Sequence, residues 1–187
     1  MSLALQIAAG IGLASCAGLR AFLPLLAAGA AGRLGWIELG RGFEWLGSTP
    51  ALVVLGTAVV AEMLADKLPV VDHALDAAGF FVKPIAGALA MASTQADAGP
   101  LAALVLGLIL GTPLATGVHA VKAKARLLST VTTLGHANPA QSAIEDATCV
   151  GGCVLSVALP IASVILLILA AAALFRLRRR RHAASRT

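Results

Sequence analysis

The stretch Ala98–Val118, AGPLAALVLGLILGTPLATGV, contains no charged residue. A helix that crosses a bilayer needs about 20 consecutive, mostly apolar residues, so this run is long enough to span one. Ala147–Phe175, ATCVGGCVLSVALPIASVILLILAAAALF, is uncharged as well. At about 1.5 Å per residue it exceeds a hydrocarbon slab of about 30 Å, so it must tilt, bend or protrude. Gly151, Gly152 and Pro160 are the expected bends. Working outward, Met1–Leu19 is uncharged, Arg20 interrupts, and Ala21–Gly32 resumes as an apolar run with Pro24 inside it. Trp45–Ala61 is a further candidate span, and His73–Ala96 another, broken by Asp76, Lys83 and Pro84.

Composition agrees with that reading. Of 187 residues, 59% are hydrophobic and 12% charged, with a mean hydropathy of +0.91. Soluble domains are about 45–50% apolar and about 25% charged, so cytosolic enzyme, disulfide-framework and disordered classes are excluded. The net charge of +5 belongs to the end of the chain. Arg176, Arg178, Arg179, Arg180, Arg181 and Arg186 account for it, leaving eight basic against nine acidic residues elsewhere. An Arg cluster directly after an apolar helix is a cytoplasmic anchor that attracts anionic lipid headgroups, and no nucleic-acid partner is expected.

Capping chemistry places several helix starts. Proline is well tolerated at the first helical position, which suits Thr49–Pro50, Asn138–Pro139 and Pro100. Gln141 adds a capping-box order after Asn138. Arg33–Ser48 reads as an interfacial loop or short surface helix, because Trp36, Phe43 and Trp45 stand among Arg33, Glu38, Arg41 and Glu44. Leu13–Cys16 resembles a lipoprotein processing site, but no basic region precedes it, so a retained first membrane helix is expected.

With the Arg tail and Lys122, Lys124 and Arg126 inside, and the Asp97 turn outside, two crossings are needed after residue 126. Either Leu127–Ala137 enters the membrane as a re-entrant element, or the three basic residues lie within the protein and say nothing about orientation. The run Gly135, His136, Ala137, Asn138, Pro139 is a poor continuous helix and favours the first.

Ionisable side chains in spans cost on the order of 2.5–3.5 kcal/mol each, so each needs a partner, a cavity or an interface. Glu62 and Asp66 lie four apart, as do Asp72 and Asp76, which puts each pair on one helix face. His119, Lys122 and Arg126, at steps of three and four, form one basic stripe, with Arg20, Lys67 and Lys83 as further cations. If the stripes meet inside the bundle they line an ion or proton pathway. Snorkelling or structural pairing is the readier account of Glu62, Asp66, Lys67, Lys122, Lys124 and Arg126, whereas Arg20, Asp72, Asp76 and His119 favour a pathway.

An internal echo accompanies these residues. Pro69, Asp72 and Asp76 share their spacing with Pro139, Ser142 and Asp146, and Gly18–Ala21 resembles Gly117–Ala120. Such a pattern suits an inverted-repeat protein with its site at the repeat interface.

The remaining signals concern packing. Ala103, Gly107, Gly111 and Ala115 form a small-residue ridge open to close helix approach, within the chain or between copies of a homo-oligomer. Cys149 and Cys153 share a helix face with no His or acid at metal-ligand spacing, so packing is their expected role, and Cys16 makes the cysteine count odd. There is no phosphate loop, nucleophile elbow or zinc-protease motif, so no enzyme, cofactor or metal is expected.

Together, Ala17–Pro24 (AGLRAFLP), Glu62 with Ala65–Pro69 (ADKLP), Asp72 and His73, His119–Ala123 (HAVKA), Asn138, Pro139, Glu145 and Asp146 resemble the bacterial membrane-protein family called domain of unknown function 4126. The likeness spans about residues 5 to 175, while the Cys149–Cys153 segment and the Arg tail look particular to this chain. It implies an integral protein of the bacterial inner membrane and brings no activity with it.

The expected protein is an all-α bundle of five or six crossings, with one or two elements broken at Pro24, Pro84 or Gly135–Pro139. Residues 1–175 form one transmembrane domain and 176–187 a basic cytoplasmic tail. Its expected task is passage of a small ion or polar solute. Asp72 and Asp76 are the titratable or cation-binding groups, Arg20 and His119 their counter-charges or anion contacts, and Asn138 with Glu145 or Asp146 the second motif. Glu62, Asp66, Lys67, Lys122 and Arg126 line the same pathway. The alternative is a structural or assembly protein whose charge pairs fix helix packing.

Overall fold

A computed structural model describes residues 1–65, 69–133 and 138–184, with the side chains at 69–77, 130, 132–133, 138–139 and 177–184 left out of the description. The described residues are helical with connecting turns: α1 (Leu3–Ala17), α2 (Leu23–Arg33), a 3₁₀ turn (Glu44–Gly47), α3 (Thr49–Ala65), α4 (Pro69–Ser93), α5 (Pro100–Leu106), a π turn (Gly107–Gly111), α6 (Thr112–Thr133), α7 (Asn138–Ala158) and α8 (Pro160–Ala184). The starts expected at Thr49 and Pro100 are the observed ones, and α7 is described from Asn138 onward. Pro100–Ser129 is the one described helix long and apolar enough to cross a membrane by length and composition, and Leu3–Ala17, Thr49–Ala65, Ala78–Ser93 and Pro160–Arg176 are shorter apolar helices.

Helix α1 is the axis of the bundle. It is apolar all round and made largely of small residues, with Ala8, Ala9, Gly10, Gly12, Ala14 and Ala17 buried, which is how a helix surrounded by others is composed. Gly10 lies against Met91 and Thr94, and the Gln6 side chain donates to Asp97 at 2.8 Å, so α4 runs antiparallel to α1. Gly12 lies against both Ser156 and Ser163, while Cys149 Sγ donates to the Cys16 carbonyl at 3.4 Å, so α7 and α8 also run antiparallel to it.

The chain leaves α1 through a turn at Gly18–Phe22, and α2 returns toward the end where α1 began, because Gly40, beyond α2, donates its N–H to the Ser93 carbonyl at 2.8 Å. This break falls just before Pro24, which sits in the first turn of α2 where its missing N–H costs nothing. Pro84 lies inside an unbroken α4. The π turn was not foreseen. It occurs where Gly107 and Gly111 meet the Ala88 and Gly87 carbonyls, so the small-residue ridge is filled by α4 of the same chain.

Pro160 separates α7 from α8 without reversing the chain. Partly or fully buried residues 149, 153, 156, 160, 163 and 167 recur at steps of four and three across the junction, so one face stays on α1 throughout. The Gly151–Gly152 pair is helical rather than bent. Two expectations change as a result. The tail follows α8 toward the end that holds Met1 and the Asp97 turn, so those two do not lie on opposite sides. No re-entrant element occupies 127–133 either, because α6 continues to Thr133; Leu134–Ala137 lie outside the described residues.

The described surface carries many large apolar side chains, and a core of mostly small apolar residues encloses several charged ones. Val53, Val54, Phe81, Ile85, Leu101, Leu108, Ile109, Leu166 and Leu169 are exposed, while Arg20, Lys83, His119, Lys122, Arg126 and Glu145 are buried.

Candidate functional site

The buried ionisable groups form one layer across the bundle. Its first part is built on the turn between α1 and α2. Arg20, only 1% exposed, donates from Nε to Asp146 Oδ1 at 2.6 Å, with a second guanidinium contact to the same oxygen, and from Nη2 to Ser142 Oγ at 3.1 Å. Its Nη1 donates to the Glu62 main-chain carbonyl at 3.3 Å. The Glu62 carboxylate accepts the Ala21 N–H at 3.0 Å and the Phe22 N–H at 3.4 Å, placing negative charge at the N-terminal end of α2, where the helix dipole favours it. The turn is thereby tied to α3 and α7.

The second part is centred on Glu145. Its carboxylate accepts from Lys122 Nζ at 3.0 Å, Arg126 Nη2 at 3.4 Å and Gln141 Nε2 at 3.1 Å. Lys122 Nζ also donates to the Leu19 carbonyl at 3.2 Å, which joins this cluster to the Arg20 turn. Lys122 and Arg126 are buried and ion-paired to Glu145 rather than exposed at helix ends. They also give no orientation signal, whereas Lys124 is exposed.

The third part lies between α4 and α6. Lys83 Nζ and His119 Nδ1 are 3.0 Å apart and both residues are buried. Phe80 meets the imidazole edge-on with centroids 4.9 Å apart, and Gly79 leaves room for the ring, since a Cβ there would lie 3.1 Å from Cε1. The two nitrogens are at hydrogen-bond distance, and which of them donates depends on the tautomer of the imidazole.

Of the residues singled out in the sequence, Arg20, Glu62, His119, Lys122, Arg126, Glu145 and Asp146 belong to this layer. Asp72 and Asp76 lie on α4 and Asn138 opens α7, but their side chains, like residues Asp66 and Lys67 altogether, lie outside the described residues. Lys83, seen in the sequence only as a further cation, proves central, because its partner is 36 positions away on another helix.

The internal echo takes physical form here, in a different symmetry from the one expected. Gly18 packs on α6 at Ala115, Val118 and His119, beside its counterpart Gly117, and Arg20 of the first motif bonds Ser142 and Asp146 of the second. Helices α1 and α6 are both antiparallel to α4, so the two halves run in the same direction. Any repeat is therefore parallel rather than inverted.

A thiol cluster lies one turn from this layer. Sγ of Cys16, Cys149 and Cys153 all lie within 4.8 Å of one another, and the three residues are buried. Helix spacing alone pairs Cys149 with Cys153, and only the fold brings Cys16 to them.

The structure thus defines an all-helical protein with a buried ionic layer inside an apolar surface. The chain belongs to the family described as Domain of unknown function (DUF4126), whose model matches residues 7–180. No curated protein and no solved structure matches it.

Proposed function

We propose that this is a polytopic protein of the bacterial inner membrane that passes a small ion or polar solute along the buried ionic layer, with a proton moving through the Lys83–His119 pair. The apolar surface supports a lipid surround, since large apolar patches are uncommon on soluble monomers. Six crossings then run through α1, the short α2, α3, α4, α5 with α6, and α7 with α8. An even number puts both termini on one face, and the Arg-rich tail makes that face cytoplasmic, beside anionic headgroups.

The observation that carries the proposal is the 3.0 Å contact between Lys83 Nζ and His119 Nδ1 in a buried setting. Ionisable side chains in contact within a membrane are costly to place there and suit a proton relay. On α4, Asp76 and Asp72 stand seven and eleven positions before Lys83, two and three helical turns along one face, which makes these acids the next proton or cation positions in this reading. The meeting of two parallel halves is also where transporters place substrates.

The test is flux in proteoliposomes with pH- and ion-sensitive dyes. Flux is expected in the wild type and lost in folded Asp72→Asn, Asp76→Asn and His119→Gln variants. A structural or assembly role is the second reading, and the tie of Arg20 to both α3 and α7 favours it. Absence of flux in the wild type, with variants that only melt earlier, selects that reading and overturns the first.

A further inference from the structure

We propose that Cys16, Cys149 and Cys153 form a binding site for a soft monovalent metal ion of the Cu(I) class. The inference stands apart from the ion pathway and uses residues that the pathway does not. Helix α7 presents Cys149 and Cys153 one turn apart, and α1 brings Cys16 to the same point, so three sulfurs from two helices lie within 4.8 Å of each other. A planar three-sulfur site with metal–sulfur bonds of about 2.3 Å needs sulfurs about 4 Å apart, which small side-chain rotations supply. Gly152 makes the space: a Cβ there would lie 2.7 Å from Cys16 Sγ.

The donor set selects the metal. The grouped donors are all sulfur, with no imidazole or carboxylate among them. Soft thiolates favour Cu(I), whereas structural zinc takes four ligands and the hard divalent ions take oxygen. Each metal–sulfur bond that forms displaces the thiol proton, so loading releases protons and adds negative charge to the site.

Packing alone does not call for three thiols here. By the internal echo, the positions equivalent to Cys149, Cys153 and Cys16 in the other half are Gly79, Lys83 and Ala115, and the fold accommodates those instead.

The full chain, purified in detergent and kept reduced and anaerobic, is titrated against Cu(I) held by bicinchoninate. One Cu(I) per chain should leave the chelator, with a sulfur-only shell by X-ray absorption and with all three cysteines protected from iodoacetamide. Cys16→Ser and Cys153→Ser should each weaken binding by more than about tenfold, the cost of losing even an outer partner of a metal ligand. Thiol protection in the wild type needs no variant, so it stands if a substitution prevents folding. Failure to take Cu(I), uptake through nitrogen or oxygen ligands, or uptake unchanged in both serine variants overturns the proposal. Asp72→Asn should bind Cu(I) normally, so loss of flux and loss of metal binding are separable results.

Discussion

Neutralising Asp146 should destabilise the protein sharply while leaving its shape nearly unchanged. In Asp146→Asn the amide still fills the space and accepts one hydrogen bond, but Arg20 keeps its charge in a buried position. Removing one member of a buried ion pair costs about 3–5 kcal/mol. The Asp146 side chain is 21% exposed and Ser142 still accepts from the guanidinium, so the lower end, about 3 kcal/mol, applies. At about 2–4 °C per kcal/mol for a chain of this size, Tm should fall by roughly 6–12 °C. A fluorogenic maleimide reports the melt directly, because Cys16, Cys149 and Cys153 are all buried until the bundle opens. The double variant Arg20→Met with Asp146→Leu should recover most of the loss, since it removes both charges of this pair. An Asp146→Asn melt within about 2 °C of wild type, or a double variant as unstable as the two single changes summed, would refute a buried pair of this strength.

Two further outcomes follow from packing and topology. Gly87→Val should abolish a monodisperse peak in size-exclusion chromatography, because its Cβ would sit 2.5 Å from Ala115 Cβ and 2.8 Å from the Gly111 carbonyl, a backbone clash costing more than the usual overpacking of about 1–3 kcal/mol. Gly56→Ala, which meets nothing within 4 Å, should be tolerated and gain up to about 1 kcal/mol of helix propensity. Green fluorescent protein fused at either terminus should fluoresce and alkaline phosphatase at either should be inactive; activity of phosphatase at one end alone would remove the six-crossing reading.

The all-helical class, some helix starts and most of the charged residues that the fold buries were legible in the sequence. Uncharged runs, proline positions and residue spacing along one helix are local properties, and local geometry follows from local residues. Three decisive features were not legible. Arg20 and Asp146 are 126 positions apart, Lys83 and His119 are 36 apart on different helices, and Cys16 joins Cys149 from 133 positions away. Each meeting depends on the rotation and register of helices packed through small residues such as Gly12, Gly18 and Gly87, which a single helix's periodicity does not encode. The same holds for direction. The sequence carried the charges of the tail and of the Asp97 turn, but only the unbroken face across Pro160 decided that both lie at one end, because whether a proline bends a helix or reverses it depends on what the next turn packs against.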